Sequence, residues 1–299
     1  MAWGRRGIVS LLIGMALLAG CGSEGDGSPA QASPPTIAVL SAFPAELAAV
    51  LAQAEVEDTQ VIEGRIVRTG RIGDVPVVMA MTGIGLLNAA ATTEIVLDHF
   101  EVAGVVVSGV AGSPRRIGDV VVPRRWSQAG GAPFAADASW LRRVARLARA
   151  KRFALERCTT VRNQAVCMGF DPAVVVESAG SSSDTFGNTA FKCNANGGDV
   201  FGCDVADAAS LPPAALRRVA PAARQSADDE PSSVDMETAA IAAAASRHGV
   251  PYIAFRAVSD GAEDPLDLPG FPAQFFAYYP FAAHNAAVAA ATFVRELAR

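Results

Sequence analysis

The residues best suited to chemistry lie in two stretches, Val234-Asp235-Met236-Glu237-Thr238 and Val250 to Asp260, the second closing on Arg256-Ala257-Val258-Ser259-Asp260. The first puts an acidic pair at the start of an Ala-rich helical segment. The second is a short apolar run that ends in Arg, Ser and Asp. Buried charges need partners, so two carboxylates and a guanidinium are set to converge on one small polar ligand. A carboxyl group whose pKa is raised by burial is a proton donor.

Glu46, in Phe43-Pro44-Ala45-Glu46-Leu47, falls in the first turn of a helix, where the dipole favours a carboxylate in any case. Gly83-Ile84-Gly85 and Gly109-Val110-Ala111-Gly112 are glycine turns that let backbone come close to a ligand. Neither has the spacing or the lysine of a phosphate-binding loop.

These residues need elements to hold them. Thr36–Ser41 and Gly104–Ser108 read as buried strands, with further strands at 61–71, 75–81, 117–122 and 173–177. Helices are expected at 45–53, 86–100, 137–151, 236–247 and 282–297, the third with Arg142, Arg143 and Arg146 opposite Leu141, Val144 and Leu147. Residues 180–187 read as a polar loop and 188–232 as a poorly periodic elaboration. Alternating strands and helices give an α/β class: a three-layer αβα sandwich around a mostly parallel mixed sheet. Glu46, Gly83, Gly85, Gly109, Gly112 and Asp260 then gather at the carboxyl ends of strands, where open α/β sheets bind ligands.

The chain has 299 residues and a net charge of −5, which gives no basic footprint for nucleic acid. Arg5-Arg6, the apolar run Gly7–Ala19 and Leu18-Ala19-Gly20-Cys21 read as a secretory signal over 1–20. Leu-Ala-Gly-Cys resembles the bacterial lipobox, which implies acylation of Cys21, anchorage in the cell envelope and exposure on its periplasmic or outer face. Residues 21–35 follow as the lipidated cysteine and a Gly/Ser/Pro-rich tether, and 36–299 as one domain. Cys158, Cys167, Cys193 and Cys203 remain, an even count that argues for two disulfides in an exported protein. Three pairings are open. The local pairs 158–167 and 193–203 are expected because each closes a loop-like stretch. His99, His248 and His284 are scattered, and no metal site is expected.

From Thr36 to Arg299 the chain resembles the superfamily of purine nucleoside phosphorylases, uridine phosphorylases and methylthioadenosine/S-adenosylhomocysteine nucleosidases. The likeness rests on Ile37–Glu46, Gly83–Gly85, Ser108–Gly112 with Ile117-Gly118-Asp119, Ser183–Phe186, Val234–Ala240 and Val250–Asp260. It implies cleavage of the bond between ribose and base. Glu46 matches the glutamate that activates the attacking water, Asp260 the aspartate that protonates the purine, and Arg256 the arginine close to water and sugar. Glu237 matches the glutamate on the ribose hydroxyls and Met236 the methionine packed on the sugar. Phe186 matches the aromatic on the base, with Gly187 at the base edge and Ser259 orienting Asp260. Gly83, Gly109 and Val110 fall near the ligand, and Tyr278 falls near the aromatic position of the 5′ pocket.

Val110 stands where many relatives carry a hydroxyl, and the Glu46 loop lacks the Gly-x-Pro-x-Arg phosphate segment of hexameric phosphorylases. Both departures favour hydrolysis of a purine nucleoside or a 5′-thio-substituted adenosine. Phosphorolysis, with phosphate as co-substrate, is the alternative, and a non-catalytic nucleoside-binding or storage protein is the other. The resemblance implies no cofactor, a small-molecule nucleoside as partner, and a homodimer.

Overall fold

The computed structural model describes residues 36–128, 131–183, 185–187, 189–205 and 231–299. The signal segment, Cys21 and the tether lie outside the described residues, as does most of the 188–232 elaboration.

Strand β1 (Ile37–Ser41) is buried along its whole length, as a strand covered on both faces must be. It lies parallel between β4 (Val75–Met81) and β5 (Gly104–Arg116). β5 in turn pairs in parallel with β14 (Tyr252–Ala262) from Val105 to Gly112. Among the described residues these strands form the middle of a 12-stranded mixed sheet. Its antiparallel edge is β2 (Glu55–Ile62) and β3 (Arg65–Ile72), which continue onto β4. Beyond β5 come β13 (Ser233–Asp235), β12 (Gly180–Ser182), β7 (Arg125–Gln128) and β8 (Phe134–Ala135). β14 also meets β6 (Val120–Pro123), which pairs with β11 (Val174–Glu177).

Helices flank the sheet. α1 (Pro44–Leu51) packs with α6 (Ala273–Arg295), and α2 (Leu86–His99) packs with α5 (Thr238–Arg247). α3 (Ala138–Arg149) is capped by Asp137, which accepts from the Trp140 N–H at 2.9 Å, and buries Leu141, Val144 and Leu147. β9 (Cys158–Val161) and β10 (Gln164–Cys167) form a separate hairpin stapled by a Cys158–Cys167 disulfide. A second disulfide joins Cys193 to Cys203 around the short helix α4 (Gly198–Phe201). Both local pairs are therefore the ones formed. Among the described residues no helix is long and apolar enough to cross a membrane.

Several boundaries differ from expectation. The strand expected at 61–71 is a hairpin, turned by Glu63 and Gly64 with φ of 47° and 77°. β5 runs on through Gly109–Gly112 rather than stopping at a turn there. Gly180–Ser182 is a strand, not loop, and Ser233–Asp235 is a strand before α5. α6 begins at Ala273, nine residues' worth of helix ahead of the expected start, and passes through Pro280.

Candidate active site

Three carboxylates surround one buried guanidinium. Arg256, in mid-β14, is fully buried. Its Nη2 lies 2.5 Å from Asp235 Oδ2 and 3.4 Å from Glu237 Oε2, its Nη1 lies 3.6 Å from Glu46 Oε1, and its Nε donates to Thr238 Oγ1 at 2.9 Å. Burial opposes its charge, but Asp235, Glu46 and Glu237 together outweigh that and hold the guanidinium above its ordinary pKa.

Each carboxylate is fixed by backbone. Glu46 projects from the first turn of α1, which Pro44 starts without losing a useful N–H. Its two oxygens accept from the N–H groups of Ala42 (2.6 Å) and Val110 (2.7 Å). Burial pushes Glu46 up to about 7 against the opposing pull of Arg256 and the two amides. Glu237 accepts from the Gly85 N–H at 2.9 Å, and burial pushes it up to about 8, opposed by Arg256 and aided by Asp235 and Glu46. Asp235 accepts from the hydroxyls of Ser182 and Thr238 and from the N–H groups of Glu237 and Thr238. It thus serves the start of α5 and the guanidinium at once.

Asp260 stands farther along the same strand pair, opposite Gly112, at an irregularity in the register. Ser259 donates to it at 2.7 Å, and burial raises its pKa in spite of that bond. Gly109 and Gly112 mark the two stations. A Cβ on Gly109 would fall 2.2 Å from Arg256 Nη1 and 2.4 Å from Glu46 Oε1, and one on Gly112 would fall 2.7 Å from Asp260 Oδ2. They are three positions apart along the strand, about 10 Å, a span that a ribose and the near edge of a base can fill.

The remaining residues are placed as follows. Val110 contributes backbone: its N–H serves Glu46 and its carbonyl lies 3.5 Å from Arg256 Nη1. Half-buried Met236 receives the Thr185 hydroxyl at 3.8 Å. The Phe186 ring edge lies against Gly85, where a Cβ would come within 3.2 Å of it, and Gly187 follows with φ of 64°. Gly83 (φ 81°) lines a cavity with Ala42, Phe43 and Ile84. Tyr278 is a correction. It is fully buried in a small cluster with Ile117, Val161, Val166, Met168 and Phe281, its hydroxyl on Asp264, and is not among the residues that line the cavity with Gly83. Tyr279 is the residue that turns toward Phe43, with ring centroids 6.2 Å apart. The histidines sit in surface ion pairs; His248 joins Glu94 and Asp98, where Arg247 also binds Glu94. Asp235, expected with Glu237 as an acidic pair at a helix start, instead ends β13, and from there it reaches Arg256.

A family model described as the phosphorylase superfamily matches residues 36–299. The chain belongs to the phosphorylase superfamily. The Mycobacterium tuberculosis protein Rv2293c, described as uncharacterized, is 38% identical over 218 residues, covering 64% of this chain and 87% of its own. A 5′-methylthioadenosine/S-adenosylhomocysteine nucleosidase of Geobacillus thermodenitrificans is 35% identical over 88 residues, 28% of this chain and 37% of the nucleosidase. Among solved structures, the Neisseria meningitidis nucleosidase of that name, in complex with methylthio-immucillin-A, superposes with a TM-score of 0.59 at 23% identity, covering 88% of this chain and 99% of its own. The futalosine hydrolase of Helicobacter pylori does so with a TM-score of 0.59 at 19% identity, covering 88% and 98%. At these identities the two structures speak for the superfamily's α/β fold.

Proposed function

We propose that this superfamily member hydrolyses the N-glycosidic bond of a purine nucleoside or a 5′-thio-substituted adenosine. The observation that carries the reading is Glu46: a buried carboxylate held by two backbone amides, poised near neutrality, with Asp260 farther along the same β5–β14 strand pair.

In this reading Glu237 accepts the ribose hydroxyls and Phe186 packs on the base. Asp260 gives its proton to the purine as the bond from ribose C1′ to the base nitrogen breaks, and the bonding electrons leave with the base. Water bonds to C1′ from the other side, and Glu46 takes its proton. An acid on one side and a water-activating carboxylate on the other follow the logic of glycoside hydrolysis. The sugar's transient positive charge is stabilised by the nearby carboxylates.

Hydrolysis is favoured over phosphorolysis because the guanidinium of the cluster is already shared by three carboxylates. A phosphate dianion would have to displace one of them. Export, a lipid on Cys21 and a homodimer complete the proposal.

The test is base release from adenosine, inosine, uridine and methylthioadenosine by the full chain, with and without phosphate. Release without phosphate supports hydrolysis. Release only with phosphate makes the protein a phosphorylase, and no release by folded protein moves it to a binding or storage role. Mass spectrometry of Cys21 tests the anchor.

A further inference from the structure

We infer that Arg65 makes the cavity beside the sugar site a receptor for a carboxylate carried on the nucleoside's sugar side. The inference rests on the glycosidase reading for the orientation of the substrate.

The cavity holds about 320 Å³ and lies between the β2–β3 turn, the end of β4, the start of α2 and the disulfide-closed segment near Cys193 and Cys203. It borders Ala42, whose N–H binds Glu46, and Ile84, the neighbour of the Gly85 amide that binds Glu237. Its lining includes no residue of β14, the strand that carries Asp260. Because the cavity borders the backbone that fixes Glu46 and Glu237, the carboxylates this reading places on the water and the ribose, a group that enters it is attached to the sugar.

Two arginines line this space, and they differ. Arg68 is neutralised by Asp204 at 2.8 Å. Half-buried Arg65 has a different partner: its Nη2 donates to Asn88 Oδ1 at 3.3 Å, and no carboxylate among the described residues lies within ion-pair distance. Asn88 is itself fixed, its Nδ2 donating to the carbonyls of Ile84 (2.9 Å) and Phe191 (2.8 Å), so the amide oxygen is held toward Arg65. A guanidinium has five N–H donors, and among the described residues one of Arg65's is used, on Asn88. A partly buried cation is costly without a counter-charge.

Most of the other lining is apolar, with Phe43, Ile66, Met81, Phe191 and Val200 on the same cavity as the arginine. Such a cavity suits an apolar arm that ends in a single negative charge. A carboxylate fits the guanidinium fork through two parallel bonds. A phosphate ester would bring between about 1.5 and 2 charges at neutral pH against the single charge of Arg65, and it suits the apolar lining less well.

The experiment compares a 5′-carboxyalkylthio-adenosine with its methyl ester as substrates of the full chain. The acid is expected to exceed the ester in kcat/KM by about 10- to 100-fold, the range for hydrogen bonds to charged groups. Arg65→Met is expected to bring the ratio close to one through a rise in KM for the acid, and Arg65→Lys to keep part of it. Equal kinetics for acid and ester, or a preference that survives in Arg65→Met, would overturn the inference. If neither compound is cleaved, the glycosidase reading fails, and equilibrium binding of the same pair decides this one. Tighter binding of the acid that is lost in Arg65→Met upholds it; equal binding or none rejects it.

Discussion

Glu46 and Arg256 lie 3.6 Å apart, both out of water, yet the guanidinium makes its close contact with Asp235 at 2.5 Å instead. The cation therefore only partly offsets the burial of Glu46, which stays poised at about 7. As a base, Glu46 works only when deprotonated, so kcat/KM should rise with pH through about 7. Asp260, raised by burial, works as the acid only while it keeps its proton, so its deprotonation opposes the rise. Glu46→Gln should remove the rising limb and lower kcat by roughly 10²-fold or more. A pH–rate profile of wild type and variant checks this; a rising limb that persists in the variant assigns the base elsewhere.

The same groups tie stability to pH. Glu46 and Glu237 keep their protons to about 7 and about 8 in the folded protein, against an ordinary 4.5. The folded state then binds more protons than the unfolded state between these values, so their contribution to stability is complete below about 4.5 and is lost as pH rises through the folded values. Glu46→Gln mimics the protonated form. Its stability relative to wild type should grow as pH rises from 4.5 to about 7, in urea titrations at several pH values. A constant difference across that window would refute the assignment of a raised pKa.

Asp235 is predicted to be a positioning residue. Asp235→Asn breaks the closest contact of the buried guanidinium and should destabilise the protein by about 3–5 kcal/mol. It also removes a charge that raises Glu46, so the rising limb of the pH–rate profile should move below 7. A stability loss with an unmoved limb would leave Asp235 a purely structural role.

Much of this site was readable because its residues announce themselves by type. Charged side chains at the end of an apolar run, as in Arg256 to Asp260, must have partners, and Gly109 and Gly112 stand where any side chain would strike those charges. Other features depend on tertiary context. The β2–β3 turn uses Glu63 in a left-handed conformation, which residue type does not signal. β2 is almost wholly exposed, so it shows little of the apolar alternation that marks a half-buried strand. Tyr278 and Tyr279 are adjacent on a helix, where one position is a rotation of about 100°. That rotation decides which ring enters a core and which faces Phe43, and sequence alone does not fix it.

Asp260 is the predicted acid, and Asp260→Asn is nearly isosteric. The variant should keep its fold and melting temperature while base release falls by about 10²- to 10⁴-fold. The loss should be smallest for nucleosides whose base leaves readily without protonation. Undiminished turnover of adenosine would sink the assignment.

The two disulfides should separate stability from function. Cys158–Cys167 closes a hairpin of its own, whereas Cys193 and Cys203 both line the cavity beside the sugar site. Each bridge closes a loop of similar length, and removing either should cost about 2–3 kcal/mol. The Cys158→Ser/Cys167→Ser variant should melt earlier with kcat/KM unchanged below its transition. In Cys193→Ser/Cys203→Ser, the chain that carries Phe191 and Phe201 loses its clasp. These rings are packed 5.8 Å apart, and Phe191 sits 5.0 Å from Phe186. KM should therefore rise in that variant while kcat at saturation changes little, because Glu46, Asp260 and Arg256 are held by other elements. Steady-state kinetics at a temperature where both variants are folded reads the difference. Equal KM values in the two variants would mean that the segment does not shape the substrate site.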